Sequence, residues 1–336
     1  MSSPESESAR VEAGYRKARL SGDQQLIAAA ADECVRAYGA IGNAEKQCEF
    51  LHILGTCQIL AGAYGASLQT TELLFDSPIV QLDPVLKAKT LILRAAALRN
   101  QSNHGPAIES ARQALATLES VKGSFRIRAE ACQSLIASLV EADKIDEAWG
   151  LRELLAKTLG EISDAQLAGH GYWTLGNLAF AHGQTSEGME YHGRAAGFLR
   201  LANDIHVWAR FNKASADMQL QAGVANEKTH DCIERAELAY GIIGGSASEL
   251  LGLSVTRARW NVATGELARA SEILELATRS TDEGQVLEDA SAHVLWAQIL
   301  ADLGRHSEAE RERGNAGRIQ DSMANLERRD RQGPAV

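Results

Sequence analysis

The residues best suited to chemistry in this sequence are nine histidines and five cysteines. Two histidines that bind one metal ion from one helix are three or four residues apart, but His170 and His182, and likewise His192 and His206, are much further apart. The sequence has no H-E-x-x-H, G-x-x-x-x-G-K-[ST] or G-x-S-x-G motif. We therefore predict that the chain is not an enzyme and holds no metal and no cofactor.

The cysteines also lack a pattern that indicates a disulfide framework or a zinc site. They are odd in number, far apart and without a C-x-x-C pair, at positions Cys34, Cys48, Cys57, Cys132 and Cys232. This usage is typical of buried thiols in a reducing compartment. We therefore expect five free cysteines.

Composition and charge limit the classes of partner. Hydrophobic residues make up 45% of the chain, and there are only five prolines and 5% aromatic residues, which favours helices over sheets. A formal net charge of −10 argues against direct nucleic-acid binding, which needs clustered Lys and Arg. Residues 1–10 form no apolar signal segment, and no stretch is apolar enough for a membrane helix. We expect a cytoplasmic protein.

Turn-like residues recur along the whole chain every 39 to 42 residues. A repeat of this length is typical of a solenoid, in which each unit buries its apolar face only against its neighbours. The recurring positions are Gly22, Gly62, Ser102, Asp143, Gly183, Gly223, Gly265 and Gly304.

One repeat carries a more specific pattern, in the stretch from Tyr172 to Gly183, which reads Tyr-Trp-Thr-Leu-Gly-Asn-Leu-Ala-Phe-Ala-His-Gly. With Gly188 and Ala195 it resembles the tetratricopeptide repeat (TPR), whose small residues lie where the two helices of a hairpin, A and B, cross closely. In that register the small position of helix A in repeats two to eight is Gly55, Ala95, Ile136, Gly176, Ala216, Ala258 and Ala297. The small position of helix B is Ser67, Ala107, Ala148, Gly188, Lys228, Ala270 and Ala309. Lys228 departs from the pattern and predicts a loosely closed sixth hairpin.

The resemblance implies an all-α fold, a right-handed α-α superhelix of about eight TPR-like helix hairpins. The repeats are longer than the usual unit of the family. In this respect they are similar to the repeats in the sensor domains of bacterial regulators of the MalT-type, actinobacterial helix-turn-helix and quorum-peptide receptor families. We predict a disordered N-terminus at 1–8, repeats one to six at 9–240, repeats seven and eight with a capping helix at 249–323, and a frayed tail at 324–336. The glycine-rich segment 241–248 between them is a hinge or, alternatively, a helix stop.

The family carries its ligands on the concave face, which helix A lines. The register places a cluster of candidate ligand-binding residues there in repeats five and six, namely His170, Trp173, Asn177, Arg210, Lys213 and Asp217. An aromatic ring, an amide and two cations suit an extended peptide or an acidic tail. Two alternatives remain: Trp173 is a core aromatic residue, and the charged residues form an ion network along one helix.

Three functions are compatible with these features. We favour a non-catalytic binding module, regulatory in role, that takes a peptide or protein segment in its groove. A first alternative is the sensor part of a transcriptional regulator without a DNA-binding domain of its own, since no helix-turn-helix is found before Ala9. A second is a response-regulator phosphatase of the Rap-like type, which also uses long TPR arrays and which needs an amide or carboxylate poised for phosphoryl hydrolysis.

Overall fold

The structure is a computed structural model, and it describes residues 4–21, 23–279 and 286–332. Within these residues the regular structure is entirely helical, in agreement with the predicted all-α class. The chain divides into two compact units, Met1–His182 and Gly183–Val336. This division falls inside the fifth repeat, at a turn whose sequence resembles all the other turns. None of the described helices is long and apolar enough to cross a membrane.

The first unit is a series of antiparallel helix hairpins. Its helices are α1 (Pro4–Ser21), α2 (Gln24–Ala40), α3 (Ala44–Leu60), α4 (Tyr64–Phe75), α5 (Pro78–Leu82), α6 (Pro84–Asn100), α7 (His104–Thr117), α8 (Phe125–Glu141), α9 (Ile145–Trp149), α10 (Arg152–Gly160) and α11 (Ala165–Ala181). The predicted helix starts are confirmed, because Asp23 caps α2 and Asp83 caps α6, with Pro84 as the first helical residue.

The second unit continues with the same kind of hairpin. Its helices are α12 (Thr185–Phe198), α13 (Ile205–Gln221), α14 (Glu227–Ile243), α15 (Ala247–Ala263), α16 (Leu267–Arg279), α17 (Val286–Asp302) and α18 (His306–Gln332). Its core includes Leu251, Leu274 and Ile299, which are buried between α15, α16 and α17. The handedness of the superhelix stays a prediction.

The forty-residue marks are the turns inside the hairpins. All the marks from Gly62 to Gly304 have a positive φ, including Ser102 at 56° and Asp143 at 58°. When the residue after a helix adopts the left-handed backbone conformation, backbone N–H groups can donate to the last carbonyl groups of the helix, and the chain reverses direction. This explains why the position recurs. The eighth mark, Gly22, lies outside the described residues.

The predicted small positions are buried in both helices of each hairpin, with one exception. At Gly55 an added Cβ would lie 2.6 Å from Leu93 Cδ2, so a larger residue there would require the Leu93 side chain to move. Ile136 is the one large side chain at a helix A small position, and it is also buried. Helix B of that repeat is interrupted between α9 and α10, at Gly150 and Leu151.

The exception is Lys228, and the prediction of a loose sixth hairpin was wrong. Lys228 is exposed, whereas Thr229 is fully buried and occupies the small position. The cause is a longer turn: α14 begins four residues after Gly223, whereas α12 begins two residues after Gly183. Thr229 Oγ1 donates a hydrogen bond to Gln219 Oε1 at 2.8 Å, which joins the two helices. The sixth hairpin is therefore closed.

Three predicted segment boundaries can be compared with the helices. Residues 4–8, which were predicted to form a disordered N-terminus, belong to α1. This helix begins at Pro4, and at the first position of a helix the missing N–H group of proline costs no hydrogen bond. At the other end α18 continues to Gln332, into the predicted tail. The glycine-rich segment has the geometry of a helix stop, because Gly244 has a φ of 67° and Ser246 caps α15 in a capping box with Glu249. Whether the glycine-rich segment also acts as a hinge stays a prediction.

Candidate functional site

Helix α11 is positioned by its start and by its buried face. Asp164 caps the helix by accepting hydrogen bonds from the backbone N–H groups of Gln166 and Leu167, both at 3.0 Å, and these bonds lower the pKa of its carboxyl. On the buried face, a Cβ added at Gly171 would lie 2.3 Å from Leu159 Cδ2. Helices α10 and α11 therefore pack closely against each other at Gly171.

The opposite face of α11 carries three of the predicted ligand-binding residues. His170, Trp173 and Asn177 are spaced by three and four residues, which places them on one side of a helix, and all three are half-buried. The rings of His170 and Trp173 stack, with centroids 5.9 Å apart. The core at this level is filled by Leu175 and Leu178 instead. The structure thus places these three residues on one side of α11, each partly accessible, with the Nε1 atom of Trp173 buried.

Polar contacts join neighbouring A helices of the first unit in two places, α11 to α8 and α6 to α3. Thr174 Oγ1 donates to Gln133 Oε1 on α8 at 3.5 Å, and Thr90 Oγ1 on α6 is 3.3 Å from His52 Nε2 on α3. Burial, with Lys89 nearby, lowers the pKa of His52 to about 4, so this imidazole is neutral at pH 7. The two threonines were missed from the sequence, because they occupy no common position in the repeat register.

The other three predicted residues lie on α13, in the second unit. Asp217 accepts hydrogen bonds from Arg259 on α15 and from Gln221, the latter at 2.7 Å. Its carboxylate is therefore engaged in joining two neighbouring A helices. Arg259 was missed because it lies in another repeat, where only the fold could place it beside Asp217.

The two cations of α13 behave differently from Asp217. Arg210 is exposed and Lys213 is half-buried, and among the described residues neither has a carboxylate within 4.0 Å. The alternative of an ion network along α13 is therefore not what the structure has. Lys213 reaches α15 at Gly252, where an added Cβ would lie 3.0 Å from its Nζ atom. The glycine leaves the space that the ammonium group occupies.

Two kinds of group bear on chemistry among the described residues, metal-holding clusters and thiols. No group of three or more His, Cys, Asp or Glu side chains in these ranges could hold a metal ion. All five cysteines are free and buried, as predicted, and burial raises the pKa of Cys34 to about 11 and that of Cys132 to about 12. These two thiols are protonated at neutral pH and are poor nucleophiles.

The stacked hairpins with small residues at their crossings define a TPR-like fold. Comparison of the sequence finds no matching family model. It finds no matching curated protein either. Comparison with solved structures does find similar folds.

One of these is the crystal structure of a Rap protein complexed with Competence and Sporulation Factor. It covers 95% of this chain and 94% of that chain, with a TM-score of 0.63 and 14% identity. Another is aspartyl phosphate phosphatase F from Bacillus subtilis, which covers 87% of this chain and 75% of that chain, with a TM-score of 0.58 and 11% identity. At such identities the likeness concerns the fold, which is TPR-like and structurally similar to the Rap proteins.

Proposed function

We propose that the chain is a non-catalytic, regulatory binding module that takes a peptide or protein segment on the exposed faces of its A helices. The observation that carries the proposal is the half-buried set of His170, Trp173 and Asn177 on α11, outside the core. An indole supplies a flat apolar surface, and an amide offers both a donor and an acceptor to a peptide backbone.

The fold likeness supports a peptide as the ligand. The Rap structure with a TM-score of 0.63 is a complex with Competence and Sporulation Factor, and that chain is covered almost completely. In the second unit, Arg210 and Lys213 are cations without a carboxylate partner among the described residues, so they suit an acidic group of a ligand. We treat the two helix faces as separate contributors to binding.

A peptide array probed with the full chain tests the proposal. We expect Trp173→Ala with Asn177→Ala to weaken binding about tenfold or more, because one buried anchor contributes on the order of 1.4 kcal/mol or more. Arg210→Ala with Lys213→Ala should weaken binding mainly to acidic peptides. The matched control, Lys228→Ala with Arg235→Ala, removes two cations of α14 outside this face and should bind as the wild type does.

Two results would contradict the proposal. If the wild type binds no peptide on the array, the chain is not a peptide-binding module. If both double variants keep full binding and normal helicity by circular dichroism, the ligand contacts other residues.

A second candidate function is phosphatase activity, which the likeness to aspartyl phosphate phosphatase F favours. It requires a side chain that positions water at an acyl phosphate. We expect no turnover above the spontaneous rate when the full chain is incubated with phosphorylated response regulators. Clear turnover would replace the non-catalytic proposal by this one.

A further inference from the structure

A groove in the second unit lies apart from the A-helix faces proposed above. It is a cavity of about 580 Å³ between α14, α15 and α16. Its walls and floor are formed by His230, Glu234, Glu237, Leu250, Leu253, Ser254, Arg257, Arg269 and Ile273.

The charged end of the groove is held rigid by one ion pair. Arg257 donates from Nε to Glu237 Oε1 at 2.7 Å and from Nη2 to Glu237 Oε2 at 2.5 Å, which fixes α14 against α15. Such a bidentate pair is satisfied and leaves little affinity for a ligand. Two other charges remain more accessible on opposite walls. Within the described residues, the ion partner of Glu234 on α14 is His230 at 3.7 Å, and that of Arg269 on α16 is Glu266 at 3.5 Å.

The other end of the groove is apolar. Because neighbouring helices are antiparallel, the start of α15 lies beside the ends of α14 and α16. Leu250 in the floor is 43% exposed, and Leu276, which continues the Arg269 and Ile273 face of α16 by one turn, is 66% exposed. Leu238 on the rim of α14 is 58% exposed. Apolar surface therefore extends along both walls beyond the cavity itself.

We propose that this groove docks an amphipathic helix of a protein partner. Its apolar side chains, spaced by three and four residues, would lie against Leu250, Ile273 and Leu276. A basic side chain of the helix would face Glu234 and an acidic one would face Arg269. A helix is favoured over a small molecule because the exposed leucines continue past the cavity, along the axes of α14 and α16.

A library of helical peptides, displayed on phage and selected on the full chain, supplies the probe. We expect the enriched peptides to have an apolar stripe at helical spacing with a basic and an acidic residue on its two flanks. One enriched peptide, labelled with a fluorophore, is then titrated with the variants. Leu276→Glu should weaken its binding about tenfold or more, since one buried leucine contact is lost to a charge.

Two further variants separate the groove from the rest of the molecule. Leu73→Glu changes a leucine of α4, in the first unit, that is 57% exposed, and should leave the affinity unchanged. Exchanging the two charges, Glu234→Arg with Arg269→Glu, should reverse the preference for the charges on the peptide flanks. Circular dichroism of each variant checks that the helices are retained.

The proposal is overturned if selection enriches no amphipathic helix, or if Leu276→Glu binds the peptide as tightly as Leu73→Glu does. It is also overturned if the groove takes an apolar dye that no peptide displaces, because the cavity is then a small-molecule site. Loss of peptide binding to Trp173 and Asn177 variants has no bearing on this groove, so the two sites are tested independently.

Discussion

Thr229 shows how a single residue closes a hairpin at the crossing of helices α13 and α14. It is fully buried, and its hydroxyl donates to Gln219 Oε1. Thr229→Val keeps the shape but leaves the amide oxygen of Gln219 buried without this donor, which should cost about 1 to 3 kcal/mol. Lys228→Ala, one residue earlier and exposed, should change stability by less than about 0.5 kcal/mol. Urea unfolding followed by circular dichroism measures both, and equal effects would mean that Lys228 occupies the crossing after all.

The sequence predicted the residues that follow from local rules and missed those that depend on neighbours in space. The turn residues could be predicted, since a left-handed residue must follow each helix A. The identity of Thr229 could not, because a longer turn shifted the register of one repeat. For the candidate site, the register placed His170, Trp173 and Asn177 on one face, but the partner of Asp217, Arg259, comes from another repeat.

At the scale of the element, helix α1 is joined to α2, its partner in the first hairpin, through one carboxylate. Glu12 accepts a hydrogen bond from the Tyr38 hydroxyl and another from Arg16 at 3.0 Å, and these bonds lower the pKa of Glu12. The same contact raises the pKa of Tyr38 to about 12. Beneath it, the rings of Tyr38 and Phe50 stack at 5.6 Å. The first hairpin is thereby closed through a charge as well as through its core.

This attachment makes the stability of the first hairpin dependent on pH. A carboxyl whose pKa is lowered in the folded state stabilises it above the pKa of the unfolded chain, about 4.3 for Glu, and loses that contribution as the pH falls through the folded pKa. We expect Glu12→Gln to cost about 1 to 3 kcal/mol at pH 7 and progressively less below about pH 4.3. Thermal unfolding at several pH values measures the difference. Arg36→Gln, at an exposed pair with Asp32, is the control and should have little effect at any pH.

At the scale of the whole molecule, each of the two compact units buries a core of its own. Leu155 on α10 and Leu274 on α16 are both fully buried, the first in residues 1–182 and the second in residues 183–336. In a solenoid, stability is approximately a sum of repeat terms and nearest-neighbour terms, so a defect should be felt locally. Truncation of either leucine to alanine should cost about 2 to 5 kcal/mol.

Hydrogen exchange measured by mass spectrometry distinguishes a local from a global effect of these two truncations. We expect Leu274→Ala to raise the exchange of α14 to α17 and to leave α1 to α4 unchanged, because the latter helices open without breaking contacts to Leu274. Leu155→Ala should give the reverse pattern, with faster exchange in α8 to α11. An equal increase along the whole chain for either variant would show instead that the chain unfolds as one cooperative body, in which case the division into two compact units has no thermodynamic counterpart.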